Sequence, residues 1–232
     1  PTFSDDVYRY AWDARVMRAG FGPYDHAPSA QAVAHLRDEL IWPNINHPDL
    51  RTIYPPVTQA MFWLFSWLGP GILPMKLLAV GFDLATALLL AWMLNRRGRD
   101  PADVALYALN PLVIAETAMS GHMDPLAWFF LLGALALVQG RSAAARIACG
   151  AALALSVGAK PLAAAILPFV VRRRPILALS FSVTLVLSVA PFAMRAGPAM
   201  FESLDTYGRT WRGNAGAYAL IETAILESGA VQ

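Results

Sequence analysis

The sequence predicts an all-α, polytopic membrane protein preceded by a polar, aromatic loop domain. Two observations carry this. Of 232 residues, 57% are hydrophobic and only 15% charged, against about 25% charged in ordinary soluble domains. The apolar residues also gather into long blocks separated by short arginine-bearing loops, the pattern of helices in a bilayer. The mean hydropathy is +0.46. The net charge of +2 is close to neutral, so there is no basic footprint for nucleic acid. The single Cys149 lies in an apolar run, which excludes a disulfide framework and leaves the compartment unassigned. Residue 1 is followed at once by polar sequence, with no charged and apolar leader pattern. The abrupt stop after Ala224-Ile225-Leu226 leads us to expect a fragment, with one spanning helix before Pro1 and more after Gln232.

From Ser4 to Gly20, Val7, Tyr10, Ala11, Ala14 and Met17 recur at helical steps, with Asp6, Arg9 and Asp13 on another face. Ser4 is the expected N-cap and Gly20 the expected stop. Tyr8, Tyr10 and Trp12 make this an expected interfacial helix. Residues 21–55 are rich in Pro, His, Asn and Asp and read as an ordered loop with a short helix near Ala30–Leu40. Val57–Leu68 is apolar but shorter than the roughly 20 residues a span requires; it reads as a helix embedded in the outer leaflet. Ile72–Leu94 is long enough to cross. Ala102–Met119, Pro125–Val138, Ala143–Val157, Leu162–Val171 and Ile176–Met194 follow as shorter segments, bent at Pro111, Pro125, Pro161, Pro168 and Pro191. The resulting division is 1–55 extracytoplasmic loop, 56–71 outer-leaflet helix, 72–195 transmembrane bundle and 196–232 a second extracytoplasmic segment.

Arginines set the orientation. Arg96, Arg97 and Arg99, then Arg141 and Arg146, then Arg172, Arg173 and Arg174 fall at alternate ends of successive segments, so all three clusters can share the cytoplasmic side. Opposite them lie Asp5, Asp6, Arg9 and Asp13, Lys76 near the outer end of the first full span, Glu116, Gly121-His122-Met123-Asp124, Lys160, and Arg209 with Arg212. Ionisable residues in or beside spans usually face a cavity or a partner. Carboxylates and cations from five segments on one side predict a cavity holding bases beside phosphate-binding cations.

Plainer readings stand beside this. Asp5 and Asp6 can simply complement a helix N-terminus. His122 and Asp124 can cap the helix starting at Pro125, or join His47 around a divalent metal, for which no spacing is diagnostic; no metal ligand is assigned. Lys76 can snorkel. Asp83 is expected to bond a neighbouring helix through Asn110. Trp63, Trp67, Trp92 and Trp128 read as belt or packing residues.

Ser-Asp-Asp-Val-Tyr-Arg-Tyr-Ala-Trp-Asp-Ala-Arg at 4–15 and Gly22-Pro23-Tyr24 resemble the first outer loop of bacterial GT-C-fold glycosyltransferases, best the polyprenyl-phosphate-sugar-dependent, mannosyltransferase-like group. Ile53-Tyr54-Pro55-Pro56, Tyr107-Ala108-Leu109-Asn110-Pro111-Leu112, Gly121-His122-Met123-Asp124 and Ala159-Lys160-Pro161 are similar to later blocks of that group, in the same order. Where the group's pattern is Gly-His-Asn-Asp, Met123 removes a polar side chain. The resemblance implies a GT-C-like helix bundle in the bacterial cytoplasmic (inner) membrane. It also implies inverting transfer of a sugar from a polyprenyl phosphate to an acceptor outside that membrane. An acidic residue of the first outer loop is then the general base: Asp6, with Asp5 as alternate, because an Asp5–Arg9 pair at i, i+4 leaves Asp6 free. Lys160, Arg209, Arg212 and Lys76 are the candidate donor-phosphate cations. Tyr54, Glu116, His122 and Asp124 are the candidate substrate-binding residues. The reading that competes with an enzyme is a catalytically silent relative packed among other membrane subunits.

Overall fold

The computed structural model describes residues 2–210 and 216–227. Its described residues contain helices and no strand. Helix α1 spans Asp6–Arg18. The Asp6 N–H donates to Ser4 Oγ at 3.3 Å, and Gly20 leaves the helix with φ +89°, a left-handed conformation that glycine adopts without penalty. A loop follows, with a 3₁₀ turn at Gln31–Leu36. Then come α2 (Pro56–Phe65), started by proline in its first turn, and α3 (Leu73–Arg96).

The segment expected to run from Ala102 to Met119 is instead broken. A 3₁₀ turn at Pro101–Val104 leads to α4 (Ala105–Ala108) and α5 (Pro111–Ile114), and a π-helical turn covers Ala115–Met119. Pro111 has no N–H to continue the ladder, and Asn110 takes over by accepting from the Leu112 N–H at 2.9 Å. Asn110 is thus a cap, and it is Tyr107 that donates to Asp83, at 2.6 Å. The remaining helices are α6 (Asp124–Leu137), α7 (Ala143–Ala159), α8 (Leu167–Val170), α9 (Pro175–Ala196), α10 (Ala199–Thr210) and α11 (Gly216–Glu227).

Helices α3, α6, α7 and α9 pack side by side in that order. Small residues permit the closest approach. A Cβ placed on Gly150 of α7 would fall 2.4 Å from the Leu177 carbonyl oxygen of α9, the close-backbone packing found where apolar helices associate. Hydroxyl and thiol donors bridge the layer. Ser156 Oγ reaches the Ala127 carbonyl at 2.8 Å, Ser180 Oγ that of Ile147 at 2.7 Å, and Cys149 Sγ that of Ala134 at 3.2 Å.

Helix α1 is buried along most of its length. Val7, Tyr10, Trp12 and Ala14 are at most 2% exposed and form the centre of the largest apolar cluster, with Phe62 of α2 and Met75 and Leu78 of α3. Tyr10 stacks on Phe62 at 4.6 Å between centroids. Arg9 and Asp13 are buried as well, paired at 3.0 Å. Of the aromatics expected to meet a membrane surface, Tyr10 and Trp12 are therefore core side chains and Tyr8 is half-buried, because α2 and the 21–55 loop cover them.

Among the described residues two helices are long and apolar enough to cross a membrane, α3 with 24 residues and α9 with 22. Both carry exposed apolar faces, among them Leu84 and Leu88 on α3 and Leu179, Val186 and Leu187 on α9. At one end of the bundle Arg195 bonds Asp25 (2.9 Å) and the Gly20 carbonyl (2.8 Å), and Arg51 pairs with Glu202. At the other end Arg174 bonds the Val138 carbonyl at 2.9 Å. The 1–55 region and α10 thus share one end, opposite the Arg172–Arg174 turn.

Candidate active site

A cavity of about 640 Å³ opens at the loop-bearing end of the bundle. Each wall comes from a different stretch of chain. Asp5, Asp6, Arg9 and Tyr10 come from the start of α1, Asn46 to Tyr54 from the loop, and His122 to Asp124 from the turn before α6. Lys160 and Pro161 follow α7, and Leu204 and Tyr207 belong to α10.

Asp6 sits at the first helical position, where a carboxylate faces the unpaired N–H groups of the first turn. Asn46 Nδ2 donates to Asp6 Oδ1 at 2.5 Å and to Asp5 Oδ1 at 3.1 Å. The other oxygen, Asp6 Oδ2, faces His122 Nε2 at 3.5 Å. The Asp5–Arg9 pair expected from spacing does not form. Arg9 turns inward to Asp13 and to the carbonyl of Leu50 at 2.9 Å. Gln59 Nε2 then joins Asp13 (2.8 Å) to Thr52 (2.9 Å). This buried network fixes the 47–52 strip of loop against α1, so its job is to hold the wall.

Tyr10 and Tyr54 line the cavity with phenols whose pKa values are raised well above the ordinary 10. Burial is the main cause in both, and the Asp6 charge adds to it. Both stay protonated at neutral pH and can donate but not act as bases. Lys160 pairs with Asp124 across the cavity floor. Arg9, held by Asp13, and Arg51, which reaches Glu202, are the other cations of the lining.

Of the residues singled out from sequence, Asp5, Asp6, Tyr54, His122, Asp124 and Lys160 meet in this one cavity. Glu116 stands just behind it and contacts His122 at 2.5 Å. Lys76 lies outside the lining and donates to the Met119 carbonyl at 3.0 Å, tying down the end of the π turn. Arg209 also lies outside it. Arg209 pairs with Asp205 one turn earlier on α10 at 2.9 Å and is 77% exposed. Arg212 falls outside the described residues. No group of three or more His, Cys, Asp or Glu among the described residues is arranged around a possible metal ion, so the His47–His122–Asp124 set does not assemble as one. Sequence reasoning missed Asn46 and Arg51. Both sit in the polar loop, and only their position shortly before the Ile53-Tyr54-Pro55-Pro56 block marked that stretch.

The family described as alpha-(1->6)-mannopyranosyltransferase, N-terminal domain, matches residues 1–174. The chain belongs to this family. Membership makes it a glycosyltransferase of the mannosyltransferase type, and the matched stretch supplies every wall of the cavity except that from α10. No curated protein and no solved structure is significantly similar to it.

Proposed function

We propose that the chain is a multi-pass membrane glycosyltransferase. It moves a sugar, mannose by its family, from a polyprenyl phosphate to an acceptor hydroxyl on the outer face of the bacterial cytoplasmic membrane, with inversion. The observation that carries this reading is the single cavity joining Asp5 and Asp6 to Lys160 and Arg51 at one end of an apolar bundle. The exposed apolar faces of α3 and α9 favour a bilayer around it. The arginine clusters favour the far end as cytoplasmic. On this topology residues 1–55 and 196–210 are outside, and α2 with the turn that follows it, where Trp63, Leu64 and Trp67 are exposed, rests in the outer leaflet.

The chemistry follows from the lining. An acceptor hydroxyl must lose its proton as it attacks the anomeric carbon, and a carboxylate within hydrogen-bond reach takes it. Asp6 is assigned that role and Asp5 the neighbouring one. The sugar–phosphate bond breaks with its electron pair passing to the lipid phosphate, whose growing charge requires fixed cations. Lys160 and Arg51 line the cavity, so the phosphate is assigned to them, ahead of Arg209, Arg212 and Lys76. Asp124 and Tyr54 line the same cavity and are assigned to the sugar hydroxyls, with His122 standing against Asp6.

The test is transfer of mannose from a short-chain polyprenyl-phosphate mannose to an α-mannoside with a free 6-hydroxyl. Asp6→Asn keeps size and removes basicity, and turnover should fall by roughly 10²–10⁴-fold with folding unchanged. Undiminished turnover in Asp6→Asn, with loss in Asp5→Asn, would move the base by one residue. Undiminished turnover in both would end the mechanism.

A further inference from the structure

The contacts behind Asp6 form a chain. His122 Nδ1 lies 2.5 Å from Glu116 Oε2, and His122 Nε2 lies 3.5 Å from Asp6 Oδ2. An ionised carboxylate only accepts hydrogen bonds, so Glu116 places the proton of a neutral His122 ring on Nδ1. Nε2 then turns its lone pair toward Asp6. Two acceptors facing each other do not close to a hydrogen bond, which accounts for the long 3.5 Å contact beside the short one.

Several backbone features are arranged to make this contact. Glu116 rides on the π-helical turn Ala115–Met119, a rare form that occurs frequently at functional sites. The His122 N–H returns to the Glu116 carbonyl at 2.9 Å. Gly121 has φ +81°, and a Cβ there would lie 3.3 Å from Val7 of α1. Glycine at this turn lets the loop close on the first turn of α1, which brings His122 to Asp6.

We propose that Asp6, His122 and Glu116 form a proton relay. The inference rests on Asp6 being the general base. The acceptor O–H proton passes to Asp6 as the new glycosidic bond forms and the sugar–phosphate bond breaks. The proton, now on Oδ2, then moves to His122 Nε2. Asp6 returns to a carboxylate, and the resulting imidazolium is held between Asp6 and Glu116 until solvent removes the proton. Glu116 touches neither sugar nor phosphate in this scheme. It is a positioning residue that fixes the ring's orientation and tautomer. Asp5 shares the Asn46 amide with the opposite oxygen of Asp6, and Lys160 and Asp124 are paired with each other, so none of them stands between Asp6 Oδ2 and the ring.

The test uses the full-length protein in detergent or nanodiscs with the same mannose donor and acceptor. His122→Ala should lower kcat by roughly 10–100-fold, as loss of a supporting partner commonly does, with donor and acceptor KM little changed. Added imidazole, which the cavity can admit, should restore part of the rate. Glu116→Gln should lower kcat in the wild-type background and add almost nothing in His122→Ala, because it acts through the ring. Glu116→Asp should recover part of the Gln loss. If His122→Ala folds poorly, His122→Gln keeps a polar side chain without a relay nitrogen and should be equally slow. Full kcat in both His122 variants overturns the relay and leaves the Asp6 reading intact. Raised KM with unchanged kcat, no imidazole rescue, or additive losses for Glu116 and His122 would show substrate binding or a loop staple instead. Undiminished turnover in Asp6→Asn removes the base and the relay together.

Discussion

Arg9 and Asp13 face each other at 3.0 Å one turn apart on α1, with side chains only 5% and 3% exposed. Their charges are balanced inside the protein rather than by water. A lone buried charge is far more costly than the pair. Asp13→Ala strands the Arg9 guanidinium and should destabilise the fold by about 3–5 kcal/mol, read as a shift of the denaturation midpoint. A shift below about 1 kcal/mol would mean that water reaches the pair.

Lys160 and Asp124 predict opposite effects on the donor. Lys160→Ala removes a cation and should weaken donor binding by about 10–100-fold, the usual worth of a charge-assisted hydrogen bond. Asp124→Asn removes the carboxylate that occupies Lys160 in the free protein and should tighten donor binding. Titration with the polyprenyl-phosphate sugar checks both, and weakening in Asp124→Asn would assign that carboxylate to the sugar.

Asp38 gives a pH signature remote from the cavity. Burial alone would raise its carboxyl. The Arg15 hydrogen bond at 2.5 Å and the Ile41 and Trp42 N–H groups outweigh this and bring it from the ordinary 3.8 to about 2. The folded form therefore holds the proton less tightly than the unfolded one. The stabilisation is complete above about pH 4 and fades as pH falls toward 2. Asp38 is one-third exposed, so Asp38→Asn should cost about 1 kcal/mol or less at pH 7 and almost nothing at pH 2. Equal losses at both pH values would remove the carboxylate's charge from the account.

The proposed topology predicts labelling of intact cells. Ser29→Cys should react with an impermeant maleimide and Arg99→Cys should not, and native Cys149 is buried. Reaction at position 99 would invert or break the arrangement.

Helix positions were legible because apolar blocks and prolines mark them directly. Leu73–Arg96 and Pro175–Ala196 fall within two residues of their expected limits. The break at 101–119 was not, since a hydropathy pattern carries no record of a π turn. Asp6, His122, Asp124 and Lys160 were legible as charges on one side of the bundle, and the structure brings them into one cavity. Their partners were not, because side-chain pairing depends on tertiary approach. Spacing alone favoured Asp5–Arg9, but the carbonyl of Leu50 and the buried Asp13 draw Arg9 the other way. Arg209 has its carboxylate partner one turn earlier on its own helix, Asp205, a pairing that i, i+4 spacing already offered.

Leu204 and Tyr207 complete a cavity whose other walls all lie within residues 1–174. Asp5, Asp6, Lys160 and Arg51 thus sit on the matched stretch, while one side of the chamber belongs to a helix beyond it. Glu202 of this helix holds Arg51, whereas Leu204 and Tyr207 face the chamber and can change in size or polarity, much as a vice can be fitted with new jaws while its screw stays in place. Acceptor preference among related enzymes is therefore best sought in the sequence of α10.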